Sequence, residues 1–402
     1  MSSAGGTPAA TLRLLAERGR IVTSRVRIVA AAARARRGNS VYTLWPDARQ
    51  PMISADMGYP PAAEWLRRTM VPTLRRLPDA AAWMSLRARA ALIEETEGLA
   101  ARIGASLMPG RPRVAMYSPS GQAVSKAVCF LFSEGEREPQ VVVKAIAEPR
   151  FAWRLRDEAA LLETIRSRIA DDEQLAATLP SPPLLTRELE GDFVVAEQFD
   201  PLAVATGSGT RDQASEWLRG FQAASSSHDR PWGDEDERET LDEVRDAWRL
   251  ARTGTEDLVV ARVRELFAPL RGSTVPRCAV HGDFWRGNVA ALAGSVRVFD
   301  WEWAELNGTP LVDLWTYELA ELRLLARQGA GPLDDQLAAA LARVRSELAS
   351  RRLDERLALA TLAPTLGALS FRVRTRLGMP DEMERHSITV MAAAERLLVG
   401  RT

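Results

Sequence analysis

Two acids and an amide, Asp283, Asn288 and Asp300, fall within eighteen positions in the stretches HGDFWRGN (281–288) and VRVFDWEWA (296–304). Carboxylate and amide oxygens at this spacing suit the transfer of a phosphoryl group from a nucleoside triphosphate. That reaction asks a protein for positioning and charge neutralisation rather than for covalent participation. One carboxylate has to receive the proton of an acceptor hydroxyl, and hard oxygen ligands have to hold Mg²⁺ against the phosphates. Aspartates in loops also cap turns. A turn, however, needs neither the Asn five positions after the first acid nor the apolar Val296, Val298 and Phe299 that lead into the second.

The same chemistry needs a compact cation for phosphate oxygens. Of 53 Lys and Arg residues only Lys126 and Lys144 are lysine, so the chain otherwise writes positive charge as Arg. A point-charge ammonium differs from a planar guanidinium fork where phosphate must be met in a tight pocket. Lys144 lies in the strand-like run VVVKA, and residues 151–169 after it read as a helix carrying Asp157, Glu158 and Glu163, each within reach as a partner by sequence distance. A lysine on a strand edge also serves against aggregation.

The elements that must position these groups follow from periodicity. RVAMYS (113–118), AVSKAVCFLF (123–132) and QVVVKAIA (140–147) read as consecutive strands separated by the turn-rich PSGQ and SEGEREP. PLLTREL and DFVVAEQFDP (192–201) read as two more strands. A helix over 212–225 carries Trp217, Leu218 and Phe221 on one face. The acidic 234–237 cluster opens another helix, where the macrodipole favours carboxylates; it could also form an anionic wall for a cationic substrate. Residues 255–271 are helical, RCAV (277–280) is a short strand into the HGD loop, and 314–401 is helical almost throughout. Ahead of all this, SVYTLWP (40–46) and PMISA (51–55) read as a hairpin, followed by helices over 61–77 and 79–103, the second with Asp79 as N-cap and Gly104 as its stop.

Composition bounds the class of protein. Basic and acidic residues balance at 53 each, so no global charge recruits nucleic acid or an anionic membrane. Two cysteines, Cys129 and Cys278, exclude a disulfide framework and fit a reducing compartment. No uncharged apolar run reaches eighteen residues, and no leader pattern opens the chain, so the expectation is a cytoplasmic protein.

At HGDFWRGN and the apolar run ending in DWE, the sequence resembles the aminoglycoside phosphotransferase and choline kinase family, a branch of the protein-kinase-like fold, over residues 110–330. The resemblance implies a two-lobed α+β fold: an N-terminal α/β extension (1–105), a small lobe with an antiparallel sheet and one helix (106–200), and a mainly helical large lobe (201–402). It implies Asp283 as the acceptor-positioning base, Asn288 and Asp300 as Mg²⁺ ligands, and Lys144 paired with Glu158 as the phosphate clamp. The turn bearing Ser118, Ser120 and Gly121 would lie over the phosphates, and the backbone from Glu197 to Phe199 would meet the base. That turn departs from the family's pattern in having one glycine instead of several. His281 and Asp313 would shape the loop, and Glu302 is a candidate on the acceptor side. The implied function is transfer of the γ-phosphoryl group of ATP or GTP to a hydroxyl of a small molecule, the alternative being a nucleotide-binding module without turnover. DFG and APE segments, expected of a protein kinase, are lacking after Asp300.

Overall fold

The computed structural model describes residues 27–37, 40–44, 88–94, 99–110, 112–117, 126–133, 139–146, 152–189, 192–200, 210–292, 295–328, 331–377 and 385–400. The chain forms two compact units. One takes in Met1–Glu163, Thr178–Gly209 and Ala290–Glu302; the other takes in Thr164–Ala177, Thr210–Val289 and Trp303–Thr402.

The first unit is built on one sheet. Its strands are β1 (Arg27–Arg37), β2 (Ser40–Leu44), β3 (Ala88–Glu94), β4 (Arg113–Tyr117), β5 (Lys126–Phe132), β6 (Val141–Ile146), β7 (Leu185–Leu189) and β8 (Asp192–Gln198). They stand in the order β2-β1-β3-β4-β5-β6-β8-β7, with antiparallel pairing between neighbours. Strands β4 to β8 coincide with the five runs read from the sequence. Helix α1 (Leu99–Leu107) precedes β4, and α2 (Trp153–Arg168) follows β6. Val141 and Val143 of β6 and the consecutive Phe193, Val194, Val195 and Ala196 of β8 are buried, as are Leu155, Leu162 and Ile165 of α2.

One expectation ahead of β4 is corrected. No single helix runs from Asp79 to Ile103: Ala88–Glu94 is a strand between β1 and β4, and the helix begins only at Leu99. ARAALIE is rich in good helix formers, but ladder partners on both sides satisfy its backbone as a strand, and tertiary pairing outweighs propensity. Ser40–Leu44 is a strand as expected, yet its partner is β1 before it. Residues 51–55 and 61–77 lie outside the described residues.

The second unit is mainly helical: α3 (Arg211–Ala224), α4 (Asp234–Ala251), α5 (Glu256–Phe267), α6 (Leu311–Gln328), α7 (Leu333–Ser350), α8 (Arg356–Leu377) and α9 (Arg385–Val399). A small sheet of β9 (Ser227–Pro231), β10 (Thr274–Val280) and β11 (Glu305–Gly308) has β10 in the middle. Helix α3 starts on a capping box: Thr210 Oγ1 accepts from Gln213 N–H, and Gln213 Oε1 accepts from Thr210 N–H. Trp248, Phe267, Trp315, Leu341 and Met391 share one apolar core. Gly367 lets α8 approach α4, since a Cβ there would stand 2.8 Å from Ala247 Cβ. No described helix is long and apolar enough to cross a membrane. The described elements make an α+β architecture, with one eight-stranded antiparallel sheet in the first unit and a mainly helical second unit.

Candidate active site

In the first unit Lys144 stands on β6 with its Nζ 3.4 Å from Glu158 Oε1 of α2 and 3.1 Å from Glu197 Oε1 of β8. Glu158 is therefore the helix partner, rather than Asp157 or Glu163. It is buried and fixed from a second direction by the Trp301 backbone N–H, which donates to Glu158 Oε1 at 3.2 Å. Trp301 is itself fixed, its indole Nε1–H donating to Val298 O at 2.9 Å. Lys144, Glu158 and the segment carrying Asp300 are thus one hydrogen-bonded assembly. Asp300 takes φ 65°, the left-handed region that Asp tolerates better than most residues.

The side chain of Glu197, whose backbone was expected near a nucleotide base, meets Lys144. Lys144 lies opposite Val195, and Val142 opposite Glu197, so all four project from one face of the sheet. The Phe199 N–H is spent on Gln140 O at 2.9 Å, which removes that donor from any base contact. Glu302, expected on the acceptor side, is buried against Arg154 of α2 as an ion pair and so braces the helix that carries Glu158. Ser118, Ser120 and Gly121 lie outside the described residues.

In the second unit β10 delivers the HGD loop, which is pinned from behind. Asp313, in the first turn of α6 and fully buried, accepts the N–H groups of His281 at 2.8 Å and Gly282 at 2.9 Å. Gly282 has φ 73°, and a Cβ on it would fall 2.2 Å from Trp303 O, so only glycine fits. His281 is buried and accepts the Asp283 N–H on Nδ1 at 3.2 Å, a loop-shaping role. Phe284 anchors the loop, stacking on Trp217 with ring centroids 5.5 Å apart. The Asn288 amide Nδ2 donates to Asp283 O at 2.9 Å and to Asp283 Oδ2 at 3.2 Å. Asp283 is thereby oriented while half-exposed.

Oxygen donors of the kind Mg²⁺ requires are available in both units. In the second unit the Asn288 amide turns its nitrogen to Asp283, which leaves its oxygen on the other side of the amide; in the first unit the carboxylate of Asp300 follows Phe299. Among the described residues no group of three or more His, Cys, Asp or Glu could hold a metal by itself.

Burial pushes the Asp313 carboxyl up to about 6, although His281 and the two N–H groups it accepts favour its ionised form. Because the folded value lies above the ordinary 3.8, this group's contribution to stability is full at low pH and is lost as pH rises through about 6. The loss amounts to about 3 kcal/mol at about 1.4 kcal/mol per unit. Asp313→Ala should orphan both N–H groups and lower stability by about 1 to 3 kcal/mol at neutral pH. Denaturant melts of the two proteins should differ more at pH 4.5 than at pH 7.5. A difference that grows with pH would contradict this assignment.

The acidic cluster divides. Burial pushes Asp236 up, but the Gly233 N–H and the guanidinium groups of Arg230 and Arg277 hold it below the ordinary value. Glu237 is held low chiefly by Arg271, which meets it with two hydrogen bonds of 2.7 and 2.8 Å. Those two acids are internal struts and cannot form a free anionic wall. A different acidic surface exists nearby, in a cavity of about 260 Å³ beside Gly282 whose lining includes Glu239, Glu243, Glu305, Trp232 and Trp303. Sequence periodicity could not find it, because it draws on α4, β11 and the HGD loop together.

No family model matches the chain, and no curated protein matches it in sequence. Solved structures with a similar fold include glucosamine kinase (crystal form B), at 16% identity and TM-score 0.40, covering 78% of this chain and 91% of that one. They include a thermostable mutant of aminoglycoside phosphotransferase APH(4)-Ia in ternary complex with AMP-PNP and hygromycin B, at 13% identity and TM-score 0.42, covering 71% and 94%. A choline/ethanolamine kinase family protein from Mesorhizobium loti is similar at 14% identity and TM-score 0.41, covering 75% and 94%.

Proposed function

We propose that the protein is a small-molecule phosphotransferase, moving the γ-phosphoryl group of ATP or GTP to a hydroxyl. The observation that carries this reading is the HGD loop: Asp283 is oriented by the Asn288 amide, on a backbone pinned to buried Asp313. In this role Asp283 orients the acceptor O–H and takes its proton as the acceptor oxygen bonds to phosphorus. The bond from phosphorus to the bridging oxygen breaks, and the nucleoside diphosphate leaves. Lys144, steadied by Glu158, holds phosphate oxygens. Asn288 through its amide oxygen and Asp300 through its carboxylate would hold Mg²⁺, whose contribution is to neutralise charge on the phosphates.

The cavity beside Gly282 supports an acceptor that carries both hydroxyls and positive charge. It combines Glu239, Glu243 and Glu305 with the hydroxyls of Thr309, Thr316 and Thr365. The test is a thermal-shift screen of amine-bearing and neutral polyols with MgATP and MgGTP, followed by mass analysis of the products. A phosphorylated acceptor is expected, with amine-bearing compounds preferred. Nucleotide stabilisation with no product from any hydroxyl compound would leave the binding module as the better reading.

A further inference from the structure

Lys144 is claimed by two carboxylates, and they are not equivalent. Glu158 is the more deeply buried, with its side chain 5% exposed, and is tied to the Trp301 N–H as well as to Lys144. The Glu197 side chain is 18% exposed, and its carboxylate bonds Lys144. It nonetheless makes the shorter contact, 3.1 Å against 3.4 Å.

We infer that Glu197 is an internal competitor for the phosphate clamp, a carboxylate that a nucleotide's phosphate must displace from Lys144 in order to bind. This inference rests on the phosphotransferase reading above. An ammonium has three N–H donors, and here two of them point at carboxylates. One lysine between two glutamates also leaves a net negative cluster where an anion has to arrive. Of the two, Glu197 is the one that yields, since releasing Glu158 would break the Trp301 contact as well. Being on the same sheet face as Lys144 by strand register, Glu197 cannot withdraw its charge far even when it lets go. It therefore lowers affinity for polyphosphates, most of all for those not complexed to a cation. The residue acts as a threshold that favours the metal-complexed nucleotide.

The test is calorimetric titration of ATP and ADP, in Mg²⁺ and in EDTA, into the full chain and into Glu197→Gln, which keeps size and polarity and removes the charge. Binding should tighten, by about tenfold in EDTA, the equivalent of about 1.4 kcal/mol, and by less in Mg²⁺. A carboxylate that merely positioned Lys144 would give the opposite sign, so an unchanged or weakened affinity in the folded variant overturns the inference. Melting without nucleotide checks the fold, and Glu197→Ala, expected to shift affinity in the same direction, serves if the amide is not tolerated. Should neither the parent nor the variants bind any nucleotide, the phosphotransferase reading fails, an outcome distinct from binding that is indifferent to Glu197.

Discussion

Replacing Asp283 by Asn is expected to abolish turnover while leaving nucleotide binding intact. Asn keeps the shape of the side chain and its acceptor oxygen toward the Asn288 amide, so the loop stays pinned through His281, Gly282 and Asp313. What it cannot do is take the acceptor's proton. General-base catalysis contributes about 100- to 10,000-fold in rate, and kcat should fall by that range with little change in the thermal shift produced by MgATP. A variant that retains its kcat would move the proton acceptor elsewhere and remove the reason for assigning Asp283 to the acceptor. An inactive parent, with the substitution inconsequential, would mark a binding module.

Asp300→Asn should be nearly as damaging, through the cation rather than the acceptor. Asn occupies the left-handed region as readily as Asp, so the φ of 65° at this position is preserved and the variant isolates the loss of charge. Disturbing mere outer-shell partners of a metal costs about 10- to 100-fold in affinity or activity, and loss of an anionic ligand should cost at least that. The measurement is the Mg²⁺ concentration that half-saturates nucleotide binding, which should rise. An unaltered Mg²⁺ dependence would take Asp300 out of the coordination sphere and leave it as the residue that turns the chain toward Trp301.

Much of the site was legible because its parts are local. HGDFWRGN holds Asp283, Asn288 and His281 in one short loop; the strand of Lys144 and the helix after it have clear periods, while the choice of Glu158 over Asp157 and Glu163 came from the family resemblance, and the contact across fourteen positions is Glu158's. Asp313, buried and bonded to two consecutive N–H groups, has the loop-shaping place expected of it. What escaped depends on pairing between distant segments. Glu197 reads as part of VVAEQFD until the register with β6 turns it to the side of Lys144. Glu302 reads as a candidate for the acceptor side until Arg154 closes on it. Half of the 234–237 cluster is consumed by arginines more than thirty positions downstream, Arg271 and Arg277, which no local pattern reveals. At the other end of the chain, the Gly38-Asn39 dipeptide was an unused hairpin signal between β1 and β2, and an alanine-rich segment passed for a helix because only its neighbours make it a strand.

Those neighbours give strands β1 to β3 a place in the sheet. Strand β4 is flanked by β3 on one side and β5 on the other. Cut away everything before α1 and the backbone of Arg113–Tyr117 loses one row of partners, leaving a bare margin that can template pairing with another molecule. Shortening this chain to its most recognisable part would therefore be a poor way to make it tractable. Fragments starting near residue 99 should self-associate more strongly than the full chain at equal concentration, and light scattering on the two would show it.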